Sequence, residues 1–320
     1  MTEIILHAEP GVVMSWEDFQ AQRPPYSIAL DGYVYGLSNY SASGPFANFN
    51  HHEEVDRFST RSSCMQIFFS IKLGLFEAFE REGKRFAHVF VNDADQDVCL
   101  SYWLLTNPDK INSLTWGDPL SRLLVFEDFM DSSAGAYPFD DSDQPDSLIK
   151  KQAWVFEPYT AARSERMLHS MTGQDLEELI TAISERITQY SRNQGDAIEL
   201  DIEPEIIGGG PGWKMILETT GYGRSAIYSS GTSAFVGMRK RSDGNFTYVL
   251  GKMSPYISFP IVEIYEALNK AENISDTHDS WGGSNTIGGS PRKSGSRLSP
   301  VDVEQIINDV ILITSEGSGK

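Results

Sequence analysis

The stretch FAHVFVNDADQDVCLSYWLL, residues 86–105, carries the pattern that decides the fold. Its β-branched and aromatic opening predicts a buried strand. The acids Asp93, Asp95 and Asp97 follow, and an apolar run over 96–106 then predicts a helix. A strand, an acidic turn and a helix in this order are typical of an α/β protein with a mostly parallel sheet.

Three further acid or histidine clusters follow apolar runs within the first half of the chain. They are Asp31-Gly32 after YSIAL, Asn50-His51-His52 after PFANF, and Asp128 with Asp131 after RLLVF. Enzymes of the α/β class hold metal ions with carboxylates and imidazoles at the ends of strands. A metal site in the first half of the chain is therefore our leading hypothesis.

Each cluster also has a simpler interpretation. The acids of 93–97 can cap the following helix, because a helix N-terminus favours negative charge. His51-His52 can be two surface histidines in a loop, and Asp128 with Asp131 can be a solvated acidic helix face. The metal hypothesis differs from these alternatives because it requires the clusters to meet in space.

The remaining pattern of the first half fits the same fold class. Residues 26–31 are predicted to form a strand, 34–50 turns and loop, and 59–82 and 118–131 helices. This alternation predicts an N-terminal, mostly parallel sheet with flanking helices.

The pattern changes in the second half. A long amphipathic helix is predicted over 163–192, and short β-type runs with glycine-containing turns follow over 197–263. We therefore predict a first domain over 1–162, a connecting helix over 163–195, and a smaller C-terminal α+β domain with a mixed sheet over 196–320.

Composition limits the class of protein. The chain has 320 residues, a net charge of −19 and two cysteines, Cys64 and Cys99. Two cysteines exclude a disulfide scaffold and a cysteine-rich zinc module. The negative charge would repel long nucleic acid. No signal-like leader opens the chain and no apolar run approaches about 20 residues, so we expect a cytoplasmic protein without a membrane partner.

Basic residues of the second half predict an anion-binding surface. Arg239 and Arg241 follow the strand-like SAFVGM, and residues 281–300 form a Gly- and Ser-rich segment that begins at Trp281. Backbone N–H groups of glycines approach phosphates closely, arginines complete such a cradle, and the indole could stack a base. The alternative is a flexible polar loop. The candidate binding residues of the segment are Gly288, Gly289, Ser290, Arg292 and Arg297.

Together, these residues resemble the DHH superfamily of metal-dependent phosphoesterases, which includes RecJ-like nucleases and nano-RNases. The similar positions are Asn50-His51-His52 for the Asp-His-His motif, Asp93-Ala94-Asp95 for the Asp-x-Asp motif, Asp31 for the lone Asp of the second motif, and Asp131 for the helical Asp of the fourth. Three features depart from the family pattern. Asn50 replaces the Asp of the motif, which removes a charge from the metal site, and the Asp-x-Asp follows the double histidine instead of preceding it. The histidine that the family usually has in its glycine-rich loop is absent here, where Ser290 and Arg292 lie nearby instead.

The resemblance implies a metal-binding catalytic first domain and a substrate-binding second domain. One or two divalent ions are expected, Mn²⁺ before Mg²⁺, since mixed carboxylate and imidazole ligands suit manganese. The basic and glycine-rich residues of the second half would hold the phosphate of the substrate. The implied metal ligands are Asp31, His51, Asp93, Asp95 and Asp131, and the implied catalytic residues are His51, His52 and Asp95.

The expected function is hydrolysis of a small phosphorylated substrate in an interdomain cleft. A short oligonucleotide, a cyclic dinucleotide and a nucleotide bisphosphate all fit this class. The missing charge at Asn50 leaves open a non-catalytic nucleotide-binding protein. A metal-dependent hydrolase of a non-phosphate bond is a third hypothesis, and a homodimer is also left open.

Overall fold

The computed structural model describes residues 2–52, 55, 59–133, 135, 147–165, 167–200, 203–218, 223–275 and 279–317. The chain divides into two compact units. One comprises Met1–Ser132 and Asp141–Glu199, and the other Ser133–Asp140 and Leu200–Lys320. Each unit combines a sheet with helices, which confirms the predicted α/β class.

The first unit is built from nine helices and six strands among its described residues. Its strands are β1 (Thr2–Ala8), β2 (Ser27–Leu30), β3 (Asn39–Ser41), β4 (Phe46–Phe49), β5 (Glu80–Arg81) and β6 (Lys84–Val91). Its helices are α1 (Trp16–Gln22), α2 (Ser63–Lys72), α3 (Leu75–Ala78), α4 (Gln96–Thr106), α5 (Pro108–Ser113), α6 (Pro119–Ser132), α7 (Leu148–Val155), α8 (Glu157–Ser164) and α9 (Gly173–Ser191), with a 3-10 turn at Leu168–Ser170.

The sheet of the first unit is mostly parallel, as predicted. Its strand order is β1-β6-β2-β4-β3, and only the edge strand β3 and the short β5 pair antiparallel. Because β6, β2 and β4 are parallel neighbours, their carboxyl ends share one edge of the sheet. The loops that carry Asp93, Asp31 and His51 therefore leave from this edge.

Two helix predictions are confirmed and two local predictions are wrong. Helices α4 and α6 match the predictions for 96–106 and 118–131. The segment 34–50 is not all loop, because FANF forms β4, a strand too short to show periodicity. The segment 59–82 is not one helix, because Gly74 adopts φ +101° between α2 and α3.

Apolar side chains cover both faces of this sheet. Helices α2, α4 and α9 pack on one face, and a smaller aromatic cluster around Phe19 packs on the other.

The predicted connecting helix over 163–195 is wrong. Helix α9 begins after a capping box at Thr172, and Ile180, Ile183 and Ile187 are buried in the core of the first unit.

The second unit has a mixed sheet, as predicted. Its elements are β7 (Glu205–Gly210), β8 (Trp213–Leu217), α10 (Gly223–Ser229), β9 (Ala234–Lys240), β10 (Phe246–Lys252), α11 (Ile261–Glu272), β11 (Gly282–Gly283), β12 (Ile287–Gly289) and α12 (Pro300–Gly317). The predicted loop over 281–300 contains two of these strands. Among the described residues, no helix is both long and apolar enough to cross a membrane. The strand order of the sheet is β11-β12-β10-β9-β8-β7, and among its described strands only β8 and β9 pair parallel.

Candidate metal centre

A tight turn at the end of β2 presents Asp31 at the carboxyl edge of the sheet. Asp31 and Gly32 have φ of +47° and +82°, and the Tyr33 amide donates to the Leu30 carbonyl at 3.1 Å. Positive φ at both central residues is the signature of a type I′ turn, which Asp-Gly sequences favour. The Asp31 amide also donates to the Phe49 carbonyl at 2.8 Å, which joins this turn to β4.

Three carboxylates converge on the fully buried imidazole of His51. Its Nε2 lies 2.7 Å from Asp131 Oδ2, 3.3 Å from Asp31 Oδ1 and 3.7 Å from Asp97 Oδ2. The neighbouring His52 Nε2 lies 2.9 Å from the same Asp31 oxygen, and 33% of the His52 side chain is exposed. The structure thus brings together four of the predicted residues, at the edge where the strand ends meet.

Asn50 holds the turn that carries the two histidines. Its Oδ1 accepts hydrogen bonds from the backbone amides of His51 at 2.8 Å and His52 at 3.1 Å. Its Nδ2 donates to the carbonyls of Gly36 at 2.8 Å and Val34 at 3.4 Å. The side chain is completely buried, so these contacts fix the loop after β4 against the segment after β2.

Asp97 joins the cluster although it was not among the predicted ligands. It lies in the first turn of α4, and its two oxygens accept from the backbone amides of Ser63 at 2.6 Å and Cys64 at 2.7 Å. These amides belong to the N-terminus of α2, where a carboxylate is favoured. The Ser63 hydroxyl donates to Asp31 Oδ1 at 3.1 Å, so α2 supports two acids of the centre.

The other two acids of the Asp-x-Asp-x-Asp pattern make local contacts. Asp95 caps α4 by accepting from the Val98 amide at 2.9 Å, and Asp93 accepts from the Ala94 amide at 2.7 Å. Burial, and next the charges of Asp31 and Asp93, raise the pKa of Asp95 well above its usual range. The charges of the centre therefore affect the protonation of Asp95. Its side chain caps α4, which is the alternative role that the sequence also allowed for these acids.

Helix α6 contributes support as well as a ligand candidate. Asp128 accepts from the Ser62 amide at 2.9 Å and from the Arg61 guanidinium at 2.8 Å. Glu127 is also buried and accepts from the Gln152 amide group, and burial raises the pKa of Glu127 well above its usual range. The acidic face of α6 is therefore buried at these positions instead of being solvated.

The shifted pKa values of His51, Asp31 and Asp97 indicate that negative charge is crowded in the centre. Burial opposes the charged form of His51, but hydrogen bonds that it donates to Asp131 and Asp31 outweigh it and raise the pKa of His51 to about 11. Burial likewise opposes ionisation of Asp31, yet its hydrogen bonds with His51 and His52 lower its pKa. Burial, and next the charges of Asp31 and Asp131, raise the pKa of Asp97 to about 7. A bound cation would relieve this repulsion.

Two overlapping groups of side chains in the described part of the chain could hold a metal ion. One is Asp31, His51 and His52, and the other is His51, Asp97 and Asp131. In each group, the donor atoms lie within 4.8 Å of one another. Imidazole nitrogen and carboxylate oxygen together suit first-row divalent ions. The predicted ligands Asp93 and Asp95 belong to neither group.

The predicted anion-binding arginines lie in the second unit, where two of them have internal partners. Arg241 donates to Asp243 at 3.0 Å and to the Lys293 carbonyl at 2.8 Å. Arg297 donates to the Glu272 carbonyl at 3.0 Å. Arg239 and Arg292 are exposed. Arg241 and Arg297 therefore stabilise the fold of the second unit.

The glycine-rich segment is packed as part of a sheet. A Cβ atom at Gly288 would overlap the Tyr265 hydroxyl, and one at Gly289 would overlap the Tyr248 carbonyl. Ser290 Oγ accepts from the Tyr248 amide at 3.0 Å. The indole of Trp281, proposed above to stack a base, is buried against the Tyr248 ring, with 5.5 Å between the ring centroids. Close packing accounts for these glycines without a phosphate.

A scan against protein-family models, a search of curated proteins and a search of solved structures each found no match to this chain.

Proposed function

We propose that the first unit is the catalytic unit of a metal-dependent hydrolase that cleaves a phosphoester bond in a small phosphorylated substrate. The observation that supports it most is the buried His51 imidazole within 3.7 Å of oxygens from Asp31, Asp97 and Asp131. Such a cluster at the carboxyl edge of a parallel sheet is where α/β enzymes place their sites. The resemblance to DHH phosphoesterases suggests the class of bond.

The residues that would hold the ion differ from the initial set. Asp31, His51, His52, Asp97 and Asp131 provide the donor atoms, and Mn²⁺ is the favoured ion, with Mg²⁺ as the alternative. A divalent ion lowers the pKa of a bound water and offsets the charge of an in-line displacement. His51 Nε2 is the His51 ring nitrogen nearest the carboxylates of both donor groups, at 3.3 Å from Asp31 and 2.7 Å from Asp131, and it has one lone pair, so we propose one tightly bound ion.

When the ion binds the group of His51, Asp97 and Asp131, His52 is the candidate for handling a proton or orienting the substrate. It is the more exposed of the two histidines, and Asp31 Oδ1 fixes its Nε2 at 2.9 Å. Arg61, with 57% of its side chain exposed, is anchored by Asp128 beside the start of α2. It is a candidate cation for the phosphate of a substrate.

A second candidate function is metal-dependent hydrolysis of a non-phosphate bond. The observation that favours it is the engagement of Arg241 and Arg297 within the second unit, which leaves fewer cations for a phosphate than the sequence predicted. A non-catalytic nucleotide-binding protein is the outcome that remains if metal and nucleotide both bind without turnover.

The test is hydrolysis of a panel of substrates in the presence of Mn²⁺. The panel contains a dinucleotide, a cyclic dinucleotide, a nucleotide bisphosphate, a chromogenic phosphate ester, a chromogenic carboxyl ester and a chromogenic amide. Asp131→Asn removes one ligand charge, while Asp175→Asn alters an exposed helix-capping acid outside the centre. We expect phosphoester turnover that Asp131→Asn lowers by on the order of 100-fold and Asp175→Asn leaves unchanged. Turnover of carboxyl or amide substrates alone would favour the second candidate. Equal turnover by both variants would contradict a role for the centre.

A further inference from the structure

The contacts of Asn50 require an amide side chain. One end of the group accepts two backbone N–H bonds, and the other end donates to two backbone carbonyls. A carboxylate offers acceptors only, so an aspartate here would place a negative oxygen against the carbonyls of Val34 and Gly36. In a fully buried position, that arrangement is strongly unfavourable.

We propose that Asn50 is a positioning residue, which sets the backbone turn of His51 and His52 and thereby the geometry of the metal centre. The inference rests on the proposed metal function and deepens it. It gives the departure from the Asp-His-His motif a structural reason. Asn50 is then a requirement of this centre and not a ligand that has lost its charge.

The position of Asn50 between the two histidines and the neighbouring loop supports this role. Its side-chain oxygen contacts the amides of the two histidines whose rings reach Asp31. Its own backbone amide donates to the Ser38 hydroxyl at 3.1 Å, and its carbonyl accepts from the same hydroxyl at 2.8 Å. A rotation of this turn would displace both imidazoles together.

Asn48 provides a matched control two residues earlier, within β4. It is equally buried, and its Nδ2 donates to the carbonyls of Val34 at 3.3 Å and Leu37 at 3.1 Å. Asn48 therefore holds the same loop as Asn50. Among the described residues, the Asn48 side chain makes no hydrogen bond with the histidine amides, so this control separates the loop contact from the positioning of the histidines.

The experiment compares Mn²⁺ affinity by calorimetry, and the visible spectrum of the Co²⁺-loaded protein, for wild type, Asn50→Asp and Asn48→Asp. Substitutions in the shell around metal ligands weaken binding by about 10–100-fold. We expect a loss in that range and an altered Co²⁺ spectrum for Asn50→Asp. Asn48→Asp should lose similar thermal stability but retain wild-type affinity and spectrum. Unchanged Mn²⁺ binding by Asn50→Asp would overturn the inference, because the geometry of the centre would then not depend on the amide. Tighter binding would also overturn it, because the added charge would then act as a ligand.

Two further measurements keep the inference separable from the proposed function and from misfolding. If wild type binds no Mn²⁺, the proposed function fails, and the positioning role is judged from histidine ring NMR signals of the metal-free protein. Asn50→Asp must then shift the His51 and His52 signals, and Asn48→Asp must not. If the aspartate variants do not fold, Asn50→Ser and Asn48→Ser are compared in the same way. Equal effects within either pair of variants would contradict the inference.

Discussion

Replacing His51 with glutamine tests the centre most directly, because its imidazole belongs to both donor groups. Glutamine keeps a hydrogen-bonding side chain of similar size but removes the strong nitrogen donor. At a free Mn²⁺ concentration of about 100 times Kd, binding stabilises the folded state by about 2.7 kcal/mol. In a unit of about 150–250 residues, each kcal/mol shifts Tm by about 2–4 °C. We therefore expect Mn²⁺ to raise the Tm of wild type by about 5–11 °C.

The assay is thermal unfolding of chelator-treated protein with and without Mn²⁺. His51→Gln should show almost none of the wild-type shift. His88→Gln is the matched control, since His88 is partly buried on the same sheet, where it shares a 2.9 Å hydrogen bond with His7 outside both donor groups. It should keep the full shift. A His51→Gln protein that Mn²⁺ stabilises as much as wild type would refute the assigned ligands.

Three further predictions concern stability. Asp128→Ala removes the buried acceptor of the Ser62 amide, so chemical denaturation should show a loss of about 1.5–3 kcal/mol, and a loss below 0.5 kcal/mol would contradict the anchoring of α2 by this residue. Gly288→Ala overpacks the second unit and should cost about 1–3 kcal/mol, and an unchanged denaturation midpoint would show that the sheet has room there. Burial lowers the pKa values of His7 and His88 below 6.5, so the unfolded chain takes up protons at these histidines first, and their contribution to stability falls as pH drops below about 6.5, opposite in sign to that of the buried acids such as Asp97. In urea titrations at several pH values, the difference in stability between wild type and His88→Gln should therefore shift in favour of the variant as pH drops, and a constant difference would exclude such a contribution from His88.

The sequence was sufficient to predict where the centre lies. Acids and histidines that directly follow apolar strands lie at one edge of the sheet when those strands are parallel neighbours. This inference does not require the structures of the loops. Asp31, His51 and His52 meet for this reason, and helix α6 adds Asp131. The predicted parallel sheet therefore explains why these side chains lie together.

The exact donors depended on contacts that local pattern does not contain. The roles of the three acids in 93–97 follow from where the N-terminus of α2 lies, since its amides bind Asp97. Asp95, by contrast, is used as a helix cap. The position of α2 depends on tertiary packing, which the spacing of the acids does not reveal. The sequence alone therefore could not show which of the acids joins the centre.

The second half shows a similar ambiguity for glycine. A glycine that lets a backbone approach a phosphate and one that lets a strand approach a tyrosine look the same in a sequence. Gly288 and Gly289 belong to the packed sheet. The arginines near them could not be assigned either, because Asp243 and the carbonyl of Lys293 become partners of Arg241 only in the fold.

The arrangement of β6, β2 and β4 as parallel neighbours affects how related proteins can be recognised. Along the chain, the acids after β6 come last, although β6 lies beside β2 in the sheet. A sheet edge collects strand ends regardless of the order in which the chain visits them, so motif order and active-site geometry are not required to be collinear. Relatives of this protein are therefore best sought by superposing the clustered acid and histidine side chains in space, without requiring the same sequence of motifs.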